Sequence, residues 1–135
     1  MRLATTLVAL VLATSTASCA ATTYDTSIST GTVAPTTTVL PTGTAAELLP
    51  TLVSTSAQLS GLIAEAGDKT ANVERVEALW AAVRAEVTGK DRDLATEIDA
   101  EIAKGRDAAR LNRPASADKV YLRLKDLVQA YLSLP

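Results

Sequence analysis

Cys19 is the only cysteine in this 135-residue chain, and the chain has no histidine. Without histidine there is no common general base, no Ser–His–Asp or Cys–His nucleophile pair, and no usual transition-metal ligand. Two charged rows and one large aromatic residue remain as candidates for chemistry. Asp93, Glu97 and Glu101 stand at i, i+4 and i+8, which on a helix places three carboxylates in one line. Oxygen-only groups suit hard cations such as Ca²⁺ or Mg²⁺, and ferric iron. A single straight row converges poorly on one ion, so the competing reading is a solvated helix face. Arg106, Arg110 and Arg113 form a second row, suited to an acidic partner or to lipid headgroups, with the same alternative. Trp80, the only tryptophan, can stack on a small hydrophobic ligand or fill the centre of a core. With no phenylalanine in the chain, the core reading is favoured.

The rest of the sequence offers little to a catalyst. No glycine-rich phosphate loop follows a strand, and Gly61, Gly67, Gly89 and Gly105 stand singly. The expectation is a protein that is not an enzyme and that carries no cofactor. Residues 44–135 hold 12 of the 13 basic and 14 of the 15 acidic side chains. That near balance argues against a nucleic-acid partner, because neutralising phosphates takes a basic surface. No metal is assigned beyond the possibility at the carboxylate row.

Cys19 gains meaning from what precedes it. Met1-Arg2 is a short positive start, Leu3 to Ala13 an apolar run, and Thr14 to Ser18 a small, weakly polar stretch. A helix of the run's 11 residues rises about 16 Å, against a hydrocarbon core of about 30 Å. The segment therefore reads as a cleaved export signal rather than a membrane span. Ala17-Ser18-Cys19 resembles the end of a bacterial lipoprotein signal, with Thr16 where that family has an aliphatic residue. The resemblance implies cleavage before Cys19 and a diacylglycerol on its sulfur, and two acyl chains are enough for stable anchoring. It also accounts for an unpaired cysteine in an exported protein. The alternative is plain secretion, with cleavage just after Cys19 among the small residues Ser18, Ala20 and Ala21.

Residues 20–43 contain 11 Ser or Thr in 24 positions, Pro35, Pro41, Gly31, Gly43 and no Lys or Arg. Such a stretch buries too little to offset the entropy of ordering, so a disordered, somewhat stiff linker is expected. Val39-Leu40 is its one apolar pair, able to dock on the domain. The division expected is a signal peptide at 1–18, a lipidated N-terminus and disordered linker at 19–43, and a helical domain at 44–135.

Four helices follow from the periodicity of the domain. The first spans about 45–66, opened by the capping-box pattern Thr44-Ala45-Ala46-Glu47 and striped by Leu49, Leu52, Leu59 and Ile63. Pro50 either kinks it or starts it, and Gly67 ends it. The second spans about 71–88, with Val73, Val76, Trp80, Val83 and Val87 at coiled-coil spacing and Gly89 as its stop. Asp91 caps the third, about 92–111, whose narrow stripe of Leu94, Ile98 and Ile102 predicts the most exposed helix. The fourth spans about 116–133 with Ser116 as cap and a broad apolar face from Val120 to Leu132. Short connections make neighbours antiparallel. The fold expected is all-α, an up-down antiparallel four-helix bundle behind the signal peptide and a Thr/Ser/Pro-rich tether.

Two stretches carry a second resemblance: Val76-Glu77-Ala78-Leu79-Trp80-Ala81-Ala82-Val83 running on to Asp91 through Leu94, and Asn112 through Tyr121. They resemble helical extracytoplasmic domains that accompany bacterial iron permeases and the imelysin-like iron-uptake lipoproteins. Those proteins carry a His-x-x-Glu metal pair. With no histidine here, the resemblance carries over no metal residue and implies an accessory that keeps the fold without the site. The leading expectation is a membrane-anchored, extracytoplasmic lipoprotein that meets a protein partner in the cell envelope without catalysis. The alternatives are an accessory of iron uptake and a binder of a small hydrophobic ligand around Trp80.

Overall fold

Helix formation begins at the first good cap. In the computed structural model, which describes residues 40–135, α1 (Ala45–Ser56) follows Thr44, whose backbone N–H donates to Glu47 Oε2 at 2.9 Å. That bond holds the Glu47 carboxyl below its usual range. Pro50 lies inside α1, so the start at Thr44 holds and the start at Pro50 does not. The signal segment 1–18, Cys19 and the linker as far as Val39 lie outside the described residues.

The first predicted helix is broken, but not at the proline. α1 stops at Ser56, and α2 (Leu59–Ala64) resumes after Ala57-Gln58. The cause is three successive hydroxyl residues. Ser54 and Thr55 both donate to the Thr51 carbonyl, and Ser56 donates to that of Val53, at 2.8–2.9 Å. Such back-bonding bends helices. From α3 (Lys69–Lys90), Asn72 Nδ2 then donates to the Thr55 carbonyl at 2.9 Å, at the break.

α3 is capped by Asp68, which accepts from Ala71 N–H. Gly89 does not end it; it lies within the helix, and α3 stops at Lys90 because Asp91 turns extended to cap α4 (Arg92–Arg110). α4 is not the exposed helix its narrow stripe suggests. Ala95, Gly105, Ala108 and Ala109 lengthen the stripe with small residues, letting neighbours approach closely. α5 (Pro114–Leu132) starts earlier than predicted, with Arg113 at the cap position and Pro114 at its first turn, so Ser116 lies inside the helix.

The described domain is all-α. Hydrogen bonds across helices tie the elements together: the Ala45 N–H at the start of α1 to Glu86 near the end of α3, Arg106 of α4 to Glu77 of α3, and Arg123 of α5 to Glu97 of α4. The main core gathers Leu49 and Leu52, Val76 to Val87, Ile98 and Ile102, and Leu124 to Tyr131. A smaller cluster of Leu59, Ile63, Ala108, Ala109 and Ala117 closes the end where α2 lies.

Two helix ends use left-handed residues. Ala66 (φ 54°) follows α2 and Asn112 (φ 52°) follows α4, and each is followed by a residue whose N–H returns to the carbonyl two positions before the last helical residue: Gly67 to Leu62 at 2.8 Å, Arg113 to Ala108 at 2.9 Å. Asparagine tolerates that conformation; alanine does not. Ala66→Gly is thus expected to raise the unfolding free energy by about 0.5–1 kcal/mol. Gly89→Ala, where an added Cβ meets nothing within 4 Å, is expected to do the same by removing freedom from the unfolded chain. Urea denaturation of each variant checks both signs.

Candidate functional site

The structure disperses the carboxylate row. Glu97 pairs with Arg123 of α5. Glu101, 9% exposed, is turned toward Lys104 at 2.6 Å, and Asp93 lies exposed a turn before Glu97. Among the described residues no group of three or more Cys, His, Asp or Glu side chains is placed to hold a metal ion.

The arginine row is divided as well. Arg106 reaches α3, where it binds Glu77 at 2.6 Å. Arg110 pairs along its own helix with Asp107 at 3.0 Å. Both line a shallow groove between α3 and α4, of about 350 Å³. Arg113 faces a different groove, between α4 and the start of α5.

Trp80 is 5% exposed and belongs to the main core. Its indole N–H donates to Asp99 Oδ1 at 2.6 Å. The same carboxylate accepts from Arg84 through Nε at 3.0 Å and Nη2 at 2.7 Å. Arg84 holds the Asp99 carboxyl below its ordinary range against some burial, the indole N–H adds to the lowering, and Asp99 in turn raises the guanidinium. Asp99 was not singled out in the sequence. The available signal is that a buried indole N–H needs an acceptor and that Asp99 flanks the stripe residue Ile98.

At the opposite end of α3, Glu86 joins three helices. Its carboxylate accepts from the Ala45 backbone N–H at 2.8 Å and from the Tyr131 hydroxyl at 3.3 Å. Burial first, and Glu86 second, raise the Tyr131 phenol. Leu40, the described member of the apolar pair before α1, is exposed and lines a shallow surface pocket with Glu74, Glu77, Ala78 and Ala81 of α3. Val39 falls outside the described residues.

A chemically mixed groove of about 470 Å³ lies between α4 and α5. Glu101, Lys104, Asp107, Ala108 and Leu111 form one wall; Arg113, Ser116, Lys119, Val120 and Arg123 form the other. Of these, Glu101 and Arg113 were singled out in the sequence as candidate site residues, but in separate rows, because the groove arises from two stripes, on different helices, that share a face only after folding.

Compared with known proteins, the chain matches no family model, no curated protein and no solved structure. The likeness to iron-permease-associated domains therefore rests on its two short stretches alone.

Asp99 gives the site a pH signature. Its native carboxyl releases its proton more readily than the unfolded one, so its contribution is full above the ordinary carboxylate value of about 4 and fades as pH falls through the lower native value. Asp99→Ala is expected to lower stability at pH 7 by about 1 kcal/mol, a modest figure because the Arg84 pair is partly solvated. The difference from wild type should shrink on acidification below pH of about 4, which urea melts followed by Trp80 fluorescence at two pH values measure.

Proposed function

We propose that the protein is an exported lipoprotein of the cell envelope that presents a helical interaction or scaffold module without catalysis. In this reading the signal is cut before Cys19 and the cysteine carries the lipid. Residues 20–43 act as a disordered tether. The domain from 44 onward is an up-down antiparallel four-helix bundle, with α1 and α2 counted as one broken helix, and it meets a protein partner outside the cytoplasm.

The observation that carries the reading is the position of the sole cysteine, directly after Ala17-Ser18 at the end of a short apolar run. The character of the domain supports it. Asp99, Glu77, Glu97 and Glu101 are committed to Arg84, Arg106, Arg123 and Lys104, and Trp80 to the core and Asp99. What the domain offers a partner is therefore shape and surface charge. Among the described residues no helix is long and apolar enough to cross a membrane, and the reading gives attachment to the lipid. Neither iron uptake nor a hydrophobic ligand beside Trp80 is favoured by an observation in the domain.

Growth with labelled palmitate tests the anchor. The wild-type chain is expected to take up label, and Cys19→Ser to lose it and leave the membrane fraction. Label retained by Cys19→Ser, or an unlabelled wild type recovered free in the medium, refutes the lipid anchor, the latter in favour of plain secretion.

A further inference from the structure

We infer that the α4–α5 groove binds a compact phosphate ester. This does not depend on the lipid at Cys19, since it concerns the folded domain alone.

Charge arithmetic across the groove is the first ground. Lys104 is matched by Glu101, Arg123 by Glu97, and Asp107 by Arg110. Two cations on its walls, Arg113 and Lys119, have no carboxylate partner among the described residues. They stand six positions apart with Ser116 midway, which puts all three on one face of the first turns of α5, toward the cavity. The groove thus concentrates two uncompensated positive charges beside a hydroxyl.

The second ground is its shape and lining. Its volume of about 470 Å³ suits a small molecule rather than a chain segment. Ala108, Val120 and Leu111 supply apolar surface next to the cations, and Leu111 remains 41% exposed. Asp107 and Glu101 sit on the facing wall. They repel an extended polyanion such as an acidic peptide, yet leave room for one anion of charge near two. The start of α5 adds to the field, for it has neither a side-chain cap nor an acidic residue in its first turn. A guanidinium, an ammonium and a hydroxyl together offer more donors than one carboxylate takes up and match the oxygens of a phosphate.

The ester can be a free metabolite or a phospholipid headgroup, and the test separates them. The full chain with Cys19→Ser, which has no lipid to hold it on membranes, is titrated calorimetrically with inorganic phosphate and with glycerol 3-phosphate. It is also sedimented with vesicles of equal parts phosphatidylglycerol and phosphatidylcholine, and with phosphatidylcholine alone. Saturable binding of glycerol 3-phosphate, tighter than inorganic phosphate, supports a free ester. Sedimentation with the anionic vesicles alone, without binding of the soluble esters, supports a headgroup. In either case Arg113→Gln/Lys119→Gln should weaken binding about tenfold or more, and Arg75→Gln/Arg92→Gln should leave it within about twofold. Lys119→Gln alone, at an exposed position inside α5, keeps the test readable if the double variant loses helicity by circular dichroism. No binding in either arm overturns the inference. So does equal loss in both double variants, which would mean diffuse attraction, or stronger binding of a polyglutamate peptide than of either ester.

Discussion

The interior of this domain is organised by the need to satisfy one indole. Trp80 is the largest side chain available to fill the space between α3 and its neighbours, and no phenylalanine shares the task. Its ring can be buried cheaply only if its N–H finds an acceptor. Asp99 supplies one, and because a carboxylate drawn toward a core carries its own desolvation cost, Arg84 closes the arrangement from the solvent side. The three residues fix how α3 meets α4. Glu77 with Arg106 then repeats the α3–α4 link one turn earlier on α3 and two turns later on α4, in keeping with antiparallel helices.

Small residues carry the consequence through to α5. With α4 held against α3, its other flank faces α5, with Gly105 beside Val120 and Ala108 lining the groove between the two helices. At Gly105 an added Cβ would lie 3.4 Å from Val120 Cγ1, ordinary contact distance with little room to spare. Close approach along this seam draws Glu101 down to near-complete burial, and Lys104 follows to neutralise it.

Large apolar side chains were the legible part. Leu49, Leu52, Leu59 and Ile63, then Val76, Trp80, Val83 and Val87, and Val120, Leu124, Leu127, Val128 and Tyr131 follow directly from spacing and are buried, whereas Val73 and Leu94 of the predicted stripes are half-buried and Leu132 is 43% exposed. Polar competition and small residues were not legible. Three consecutive hydroxyl residues end α1 where periodicity runs straight on, because a side-chain bond to a carbonyl leaves hydrophobic spacing unchanged. Gly67 and Gly89 drew attention as punctuation. The left-handed residue is Ala66, however, and Gly89 is an ordinary helical position. Glycine marks where such a conformation is easy, not where the chain must adopt it.

The charged rows failed for a related reason. Spacing along one helix tells which side chains share a line, whereas pairing is decided by what the next helix brings opposite. Asp93, Glu97 and Glu101 share a line, yet α5 takes up Glu97 and the depth of the seam takes up Glu101. Arg106, Arg110 and Arg113 share a line only until α4 ends at Arg110, where the chain turns and carries Arg113 to the cap of α5. That turn gives Arg113 a new neighbourhood with Lys119, on the α5 wall of the groove. Helix packing thus pairs Arg84, Lys104, Arg106, Arg110 and Arg123 within the domain and leaves Arg113 and Lys119 without a carboxylate among the described residues, on the wall of a groove where a ligand rather than another helix can meet them.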